Sequence, residues 1–408
     1  MGMNGELFTI KKEDVVLWLF SLGMLVPYLG MLNPWFMWPL GYSYLIIAFV
    51  LLCGAMLVSM TMSKPLFTNR YYIPPTVAYA VIAIYQVVVS EGTIAGYVGV
   101  FFKVTVVMAL LLMKREKLEA MMTFIAKFMG LLLLISIFGY VLYLLGFSLP
   151  YRGAEFEDGK YSFTNYYFFM IDDRTMTFIP RFSSVFLEPG HVGVAAVMVL
   201  MTQCGRWNRW YSIVMMVTAL ISFSLEAYVL LFLLVFFNLW LQKKDMLRKL
   251  VLAVALVAGI VAGSFVYNDG DNMLHELIVL RLEIEDGEMA GNNRVTDNFE
   301  TEYANFLHSS DILFGRELTE GNNSGYKVYI YENGFVGLFL LFVFYILLLS
   351  RSTNKRALLA GVTIAFLDFI VRAHSLWFSI IIPLYYMAVG FHTDQPEVED
   401  APQKISTV

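Results

Sequence analysis

Charged residues are scarce in this sequence of 408 residues, and so are cysteines. Only 15% of the residues are charged, whereas 59% are hydrophobic, and the mean hydropathy is +0.66. A soluble fold of this composition would carry more apolar surface than it could bury. The composition therefore excludes an ordinary soluble protein and favours one whose solvent is lipid.

Several chemical devices are also lacking. The two cysteines, Cys53 and Cys204, lie within or at the end of apolar runs, so no disulfide framework organises the polar loops. His191, His275 and His308 form neither HExxH nor another compact ligand spacing, and we predict no metal site. No glycine-rich phosphate loop occurs, and the net charge of -5 gives no reason to expect nucleic acid as a partner.

Apolar runs recur along the whole chain, each long enough to cross or nearly cross a hydrocarbon layer about 30 Å thick. We predict an all-α fold, a polytopic membrane helix bundle of about 12 transmembrane helices. The runs at 211–223 and 226–242 could be one long helix, but serines and Glu226 interrupt them where a tight turn would lie. The runs fall at 15–32, 38–61, 73–90, 94–113, 120–147, 185–204, 211–223, 226–242, 249–267, 334–350, 356–372 and 375–391.

Lysine and arginine are shared unevenly between alternate loops. With the N-terminus inside, every short inner loop is basic, whereas the outer turns near 33–37 and 90–93 carry neither residue. This asymmetry is the positive-inside rule, and it places both termini in the cytoplasm. The basic residues of the inner loops include Lys64, Arg70, Lys114, Arg115, Lys117, Arg206, Arg209, Arg248, Lys249, Arg351, Lys355 and Arg356.

Two predicted outer loops, about 148–184 and 268–333, are long enough to carry chemistry. The second is rich in acidic residues, asparagine and glycine, and is too polar to lie in lipid. The apolar spacing at 299–307 predicts a short amphipathic helix over the bundle. We expect one membrane bundle over 1–392 and a disordered cytoplasmic tail over 393–408.

An arginine, a carboxylate, a proline and a histidine lie within eleven residues at the predicted outer entrance of the sixth helix, from Arg181 to His191. Arg181 suits a phosphate group, because its planar fork donates two parallel hydrogen bonds and keeps its charge. Glu188 could pair with it or act as a base, and Pro189 suits an early helical position. An Arg–Glu anchor at the membrane interface is the alternative, and composition leaves both open.

A second polar cluster leads into the tenth predicted helix. It contains Arg294, His308 and the stretch LFGRE at 313–317. Gly315 suits a tight turn and Gly334 suits close helix contact, so these glycines are more typical of structure than of catalysis.

Two further cations stand apart. Arg372 lies with His374 at the predicted outer turn between the last two helices. Lys103 falls near the midplane of the fourth helix, where an unpaired charge is costly, so we expect it to face the bundle and meet a carboxylate or a carbonyl.

Together the outer clusters resemble the superfamily of O-antigen polymerases and ligases, which extend or transfer lipid-linked polysaccharide. The resemblance covers the chain from about Arg181 to Tyr386, and it depends on the order of the pieces more than on any one of them. The pieces are RFSSVFLEPG at 181–190, SFSLEAY at 222–228, Arg294, LFGRE at 313–317, SGYKVYIYENGFVG at 324–337 and the final helix pair with Arg372.

The resemblance implies a glycosyltransferase of the bacterial inner membrane that needs neither metal nor cofactor. Its donor would be an undecaprenyl-diphosphate-linked glycan, with the active site facing the periplasm. Arg181, Arg294 and Arg372 would hold the diphosphate, because fixed cations stabilise the charge that develops as the glycosidic bond breaks. Besides this substrate and membrane lipid, the implied partner is a chain-length regulator protein. The supporting residues would be Tyr326, Lys327 and Glu332.

Within the superfamily, the residues favour a polymerase. Ligases usually carry a His-Asn pair nine residues before the glutamate of the E-x-G-x-x-G segment. Counting back from Glu332 gives Asn323 and Ser324 instead. A ligase that transfers glycan to lipid A-core stays as the alternative within the class, and a lipid-linked glycan flippase or transporter as the alternative outside it. A transporter predicts charges at midplane depth, where only Lys103 clearly lies.

The sequence leaves the general base open. Glu188 is the first choice for removing the proton of the acceptor sugar hydroxyl, because it lies beside an arginine at the membrane edge. His191 and His308 are the alternatives. A carboxylate paired with Arg181 would be a weaker base, since the pair favours its ionised form.

Overall fold

The protein is mostly helical, as the apolar runs predict. The computed structural model describes residues 11–90, 92–156, 161–174, 179–242, 246–272, 275, 279–280, 284–285, 288–289, 296–318 and 325–390. Every predicted apolar run contains a helix. The helices are α1 (Lys12–Gly30), α2 (Tyr44–Met60), α3 (Ile73–Val89), α4 (Ile94–Leu112), α5 (Arg115–Leu144), α6 (Pro189–Thr202), α7 (Trp210–Ile221), α8 (Leu225–Gln242), α9 (Met246–Val266), α10 (Asp297–Phe306), α11 (Tyr326–Arg351), α12 (Lys355–Val371) and α13 (Phe378–Val389).

The helices make this a multi-pass membrane protein. Within the part of the chain that the structure describes, seven helical stretches are long and apolar enough to cross a membrane. They contain α1, α2, α3, α4, α5, α8 and α11. Three other apolar helices, α6, α7 and α13, are shorter, with 14, 12 and 12 residues.

The short helices α6 and α13 form the centre of the bundle. Every residue of α13 is buried, and so is every residue of α6 after Pro189. Helices that are apolar and buried all round belong to the interior. At 1.5 Å per residue they span only about 21 and 18 Å, less than the hydrocarbon layer. Polar residues that flank them, including Ser184, Arg372 and Ser375, are accordingly buried.

The loops with many lysines and arginines meet at one end of the bundle, here called the basic end. Lys114 N donates to Leu66 O at 2.8 Å, Arg206 pairs with Glu119 at 2.8 Å, and Arg351 donates to Tyr71 O at 3.3 Å. The opposite end, here called the site end, comprises 31–43, 148–156, 161–174, 179–188, 222–224 and 372–377.

A small antiparallel sheet at the site end departs from the all-α prediction. Its strands are β1 (Arg152–Phe156), β2 (Tyr161–Asn165) and β3 (Met170–Asp172), in that order. Phe163 and Met170 pack with Leu187 and with the tryptophans of the connector between α1 and α2. The sheet therefore covers the site end rather than forming a free loop. A shorter antiparallel pair is formed by β4 (Ile284–Glu285) and β5 (Glu288–Met289).

The chain between α7 and α8 turns sharply, which confirms the interpretation of 211–242 as two helices. Phe223 in this turn has a positive φ of 44°, a conformation that bulky residues rarely adopt. The Ser224 hydroxyl accepts a hydrogen bond from Ala227 N at 3.4 Å in the first turn of α8. The turn sets the position of Glu226.

The second predicted outer loop ends earlier than expected, because α11 begins at Tyr326 and bends at Gly334. The amphipathic helix predicted over 299–307 is confirmed as α10. Its Phe299, Tyr303 and Phe306 are buried against the first turns of α11.

Candidate functional site

Arg372 is buried between two carboxylates, with 4% of its side chain exposed. Its Nε donates to Glu226 Oε2 at 2.9 Å and to Oε1 at 3.1 Å. Its Nη2 donates to Glu188 Oε2 at 3.1 Å. A buried arginine needs this many charge-assisted bonds to offset its desolvation. These three residues are called the Arg372 cluster below.

Three helix ends bring the cluster together. Arg372 directly follows α12, where its backbone N–H donates to Asp368 O at 2.8 Å. Glu188 is the residue before α6, and Glu226 lies in the first turn of α8. Both carboxylates therefore lie at helix N-termini, where the helix dipole favours negative charge. The cluster needs three parts of the chain that are far apart in sequence.

Gly190 allows the cluster to pack against α6. A Cβ at this position would overlap Arg372 Nη2 and would lie 2.9 Å from Glu226 Oε2. The backbone of α6 therefore contacts the Arg372 guanidinium at Gly190, and any side chain at this position would displace the guanidinium. The glycine of the sequence EPGH is required by contact and not by a turn, since its φ is not positive.

The two carboxylates of the cluster differ in access. The Glu226 side chain is 7% exposed, whereas that of Glu188 is 31% exposed. Glu188 Oε1 also accepts a hydrogen bond from the hydroxyl of Tyr161, on strand β2, at 3.5 Å. Glu188 is therefore the member of the cluster that a substrate can reach.

Aromatic and imidazole rings line the inner side of the cluster. The rings of His374 and Trp377 stack at 3.6 Å, and the His191 ring lies 5.5 Å from Trp377. A cavity of about 10 Å³ lies between His191, Asp368, Arg372 and His374, among other residues. This is about the space of a single water molecule. His191 thus lies inside the bundle, behind Arg372.

Arg181 lies on the segment that joins the sheet to α6, and it is half-buried. The carbonyl of the preceding residue, Pro180, accepts a hydrogen bond from the Tyr140 hydroxyl, on α5, at 2.5 Å. The segment itself is anchored to α5, because Ser184 donates to Ser136 at 2.8 Å. Arg181 therefore lies at the site end, on the segment that also carries Glu188.

The second predicted cluster is a packing unit of α10 and α11. The Arg316 guanidinium lies 4.7 Å from the centre of the Tyr331 ring and donates to Glu302 O at 3.3 Å. Lys327 forms an ion pair with Glu300. Both cations therefore have partners within this unit, and their contacts hold α10 against α11.

The remaining predicted residues of this region are spread out. Tyr326 is half-exposed at the start of α11, and Glu332 is exposed beside the bend. His308 is exposed beyond α10, with its Nδ1 2.9 Å from Ala304 O. Arg294 lies outside the described residues. Lys103 is partly buried on α4, and among the described residues neither the carboxylate nor the carbonyl expected for it is found.

Glu226 is the main residue that the sequence interpretation left out of the site. In the sequence it stands out as the charge that interrupts the run 211–242, and it lies within the piece SFSLEAY, but neither feature assigns it a role. A lone carboxylate between two apolar helices is costly unless it has a cationic partner, and that cost is the signal that could have identified it. Its partner, Arg372, is 146 residues away, so no local spacing links them.

Comparisons with family models, with curated proteins and with solved structures find no match to this chain. The function of the Arg372 cluster has to be inferred from its own residues and from the sequence pattern around them.

Proposed function

We propose that the protein polymerises undecaprenyl-diphosphate-linked oligosaccharide repeat units into O-antigen, capsular or exopolysaccharide at the periplasmic face of the bacterial cytoplasmic membrane. The observation that carries this proposal is the buried Arg372 cluster at the site end, opposite the basic end. If the basic end lies in the cytoplasm, as the positive-inside rule requires, the cluster faces the periplasm. About twelve crossings with both termini inside complete this topology.

The unequal access of the two carboxylates supports a binding step. Glu226 holds the Nε side of Arg372 and stays in place because it is buried. The Nη2 bond to Glu188 is the more exposed one, and an oxygen of the substrate diphosphate takes the place of that carboxylate. Arg372 thus exchanges the Glu188 carboxylate for the diphosphate, and its guanidinium keeps all its hydrogen bonds.

The same exchange gives Glu188 a catalytic role. Once released from Arg372, Glu188 no longer has the partner that makes it a weak base. It accepts the proton of the acceptor hydroxyl as this oxygen attacks the anomeric carbon of the donor sugar. The bond from that carbon to the diphosphate breaks, and undecaprenyl diphosphate leaves with the bonding electrons. Arg372, together with Arg181, stabilises the charge that collects on it.

The test is a polymerisation assay with the purified full-length protein in lipid nanodiscs and lipid-linked repeat unit. We expect a ladder of products on electrophoresis, and Arg372→Lys should lower its rate by about a hundredfold or more, because an ammonium group cannot reproduce the fork. Lys355→Ala, at the basic end, is the matched control and should keep the wild-type ladder.

Other outcomes of this assay separate the alternatives. A single glycan transfer to lipid A-core without a ladder identifies a ligase. Movement of the lipid-linked unit across a vesicle membrane without any new glycosidic bond identifies a flippase. Either result contradicts the proposed polymerase.

A further inference from the structure

The border of the sheet where the central strand β2 begins and the outer strand β3 ends leads directly to Glu188. Tyr161, on β2, donates its hydroxyl to Glu188 Oε1. The Arg174 guanidinium, two residues after β3, lies 4.4 Å from the centre of the Tyr161 ring. Arg174 in turn donates to both oxygens of Asp172, at 2.9 and 2.7 Å. Tyr161, Asp172 and Arg174 are called the sheet edge below.

The sheet edge is both fixed and accessible. The two parallel bonds to Asp172 hold the Arg174 fork, and the side chains of Arg174 and Asp172 are 45% and 26% exposed. The hydrogen bonds with Asp172 raise the pKa of Arg174, and the negative charge of Glu188 raises it further. The Tyr161 ring is parallel to that of Phe163, which is buried under the sheet. Such side chains lose little freedom when a ligand binds.

The charge of this surface disfavours a second phosphate site. Arg174 contributes +1, whereas Asp172 and Asp173, which accepts hydrogen bonds from Ser162 and Thr164 on β2, each contribute -1, so the three side chains sum to -1. A diphosphate would be repelled, because its charge has the same sign. The surface suits a neutral ligand that has many hydroxyl groups.

A sugar ring has the chemistry that this surface can recognise. Carboxylate and guanidinium groups are planar and can bond two neighbouring hydroxyl groups at once. Aromatic rings attract the C–H bonds on the apolar face of a sugar ring. The Arg174 guanidinium covers one face of the Tyr161 ring, so the sugar would pack against the guanidinium and the remaining surface of the ring. Both kinds of group are combined here, one hydrogen bond away from Glu188.

We propose that the sheet edge formed by Tyr161, Asp172 and Arg174 binds a sugar ring of the acceptor glycan and directs its hydroxyl towards Glu188. The delivery to Glu188 rests on the proposed function, whereas the binding of a glycan by this edge does not. The ion pair of Arg174 and Asp172 also protects the edge strand β3 from pairing with another chain. The test therefore measures glycan binding, which such protection alone would not change.

The first experiment measures binding. The probe is the mixture of oligosaccharides released by partial acid hydrolysis of the organism's own polysaccharide, titrated against the full-length protein in nanodiscs by calorimetry or saturation-transfer NMR. We expect Tyr161→Ala and Arg174→Gln each to weaken binding by about tenfold or more, which corresponds to roughly 1.4 kcal/mol. Tyr161→Phe keeps the ring and should stay close to wild type.

The matched control is Tyr151→Ala, which removes a tyrosine that is 67% exposed just before β1 and should leave binding unchanged. Thermal unfolding of each variant shows that the bundle is intact, and Arg174→Gln keeps the test valid if Tyr161→Ala does not fold. The proposal is overturned if the wild type binds no oligosaccharide of the mixture, or if the variants bind as well as the wild type.

The second experiment separates this proposal from the polymerase. In the ladder assay, Arg174→Gln should raise the KM for the acceptor, whereas Arg372→Lys should lower kcat. If the wild type binds glycan at the sheet edge but makes no ladder, the polymerase is wrong and the sugar site stands. If the ladder forms and Arg174→Gln leaves both binding and KM unchanged, the sugar site is wrong and the polymerase stands.

Discussion

At the scale of single residues, the site depends on a close approach that no motif reveals. Gly190 lies where a Cβ would overlap the Arg372 guanidinium. We expect Gly190→Ala to displace Arg372 and to reduce the polymerisation rate by about a hundredfold, with a cost of roughly 1–3 kcal/mol in stability from overpacking. The ladder assay and thermal unfolding check both effects.

The control for this substitution is Gly99→Ala on α4, where an added Cβ meets no atom within 4 Å. It should leave activity unchanged, because alanine is compatible with a helix interior. Full activity of Gly190→Ala would show that the position of Arg372 does not matter for the reaction.

The two carboxylates of the Arg372 cluster should respond differently to neutralisation. Glu226→Gln leaves a buried charge without its main partner, and breaking such a pair costs about 3–5 kcal/mol. Glu188→Gln, at the more exposed position, should change stability less and slow transfer strongly, because the proton acceptor is lost. Thermal unfolding and the ladder assay measure the two effects. Equal stability of the two variants would contradict the assigned roles.

The local part of the site could be predicted from the sequence, and the long-range part could not. Arg181, Glu188 and His191 lie within one short segment, so their proximity follows from the chain itself. The position of Arg372 in a predicted outer turn marks it as a candidate from the sequence alone. Its bonds to Glu226 and Glu188 depend on how α6, α8 and α12 pack, and helix packing has no signal in a single apolar run.

At the scale of elements, the helices were predictable because a long apolar run in lipid has to form a helix, which pairs its backbone N–H and C=O groups internally. The sheet was missed because its strands are short and lie in the segment 148–184, whose polarity predicts only an outer loop. The alternation Tyr161, Phe163, Asn165 on one face, with Ser162 and Thr164 between them, is a strand pattern that could have identified β2.

Gly315 and Gly334 allow the segment 313–317 to pack directly against the backbone at the bend of α11. Both have positive φ, and a Cβ at either position would overlap the backbone of the other segment. We therefore expect Gly334→Ala to destabilise the protein by roughly 2 kcal/mol or more, because strain and overlap add. Thermal unfolding in nanodiscs measures this effect. Gly259→Ala on α9, where no atom lies within 4 Å, is the control and should unfold like the wild type.

At the scale of the whole molecule, the proposed function requires the site end to face the periplasm. In a variant with Cys53 and Cys204 replaced, Glu155→Cys on the sheet should react with an impermeant thiol reagent added to intact spheroplasts. Lys355→Cys at the basic end should react only after the membrane is opened. The reverse pattern would place the Arg372 cluster in the cytoplasm and rule out a periplasmic polymerase.

If the proposed function holds, the shortness of α6 and α13 determines how deep in the membrane the carrier lipid binds. The innermost helices reach across only part of the bilayer, so a pyrophosphoryl head that binds Arg372 moves below the membrane surface. It does not have to leave the membrane. Its long isoprenoid tail then stays among the acyl chains throughout the reaction. The large free energy of exposing such a tail to water, which grows with every methylene, never arises.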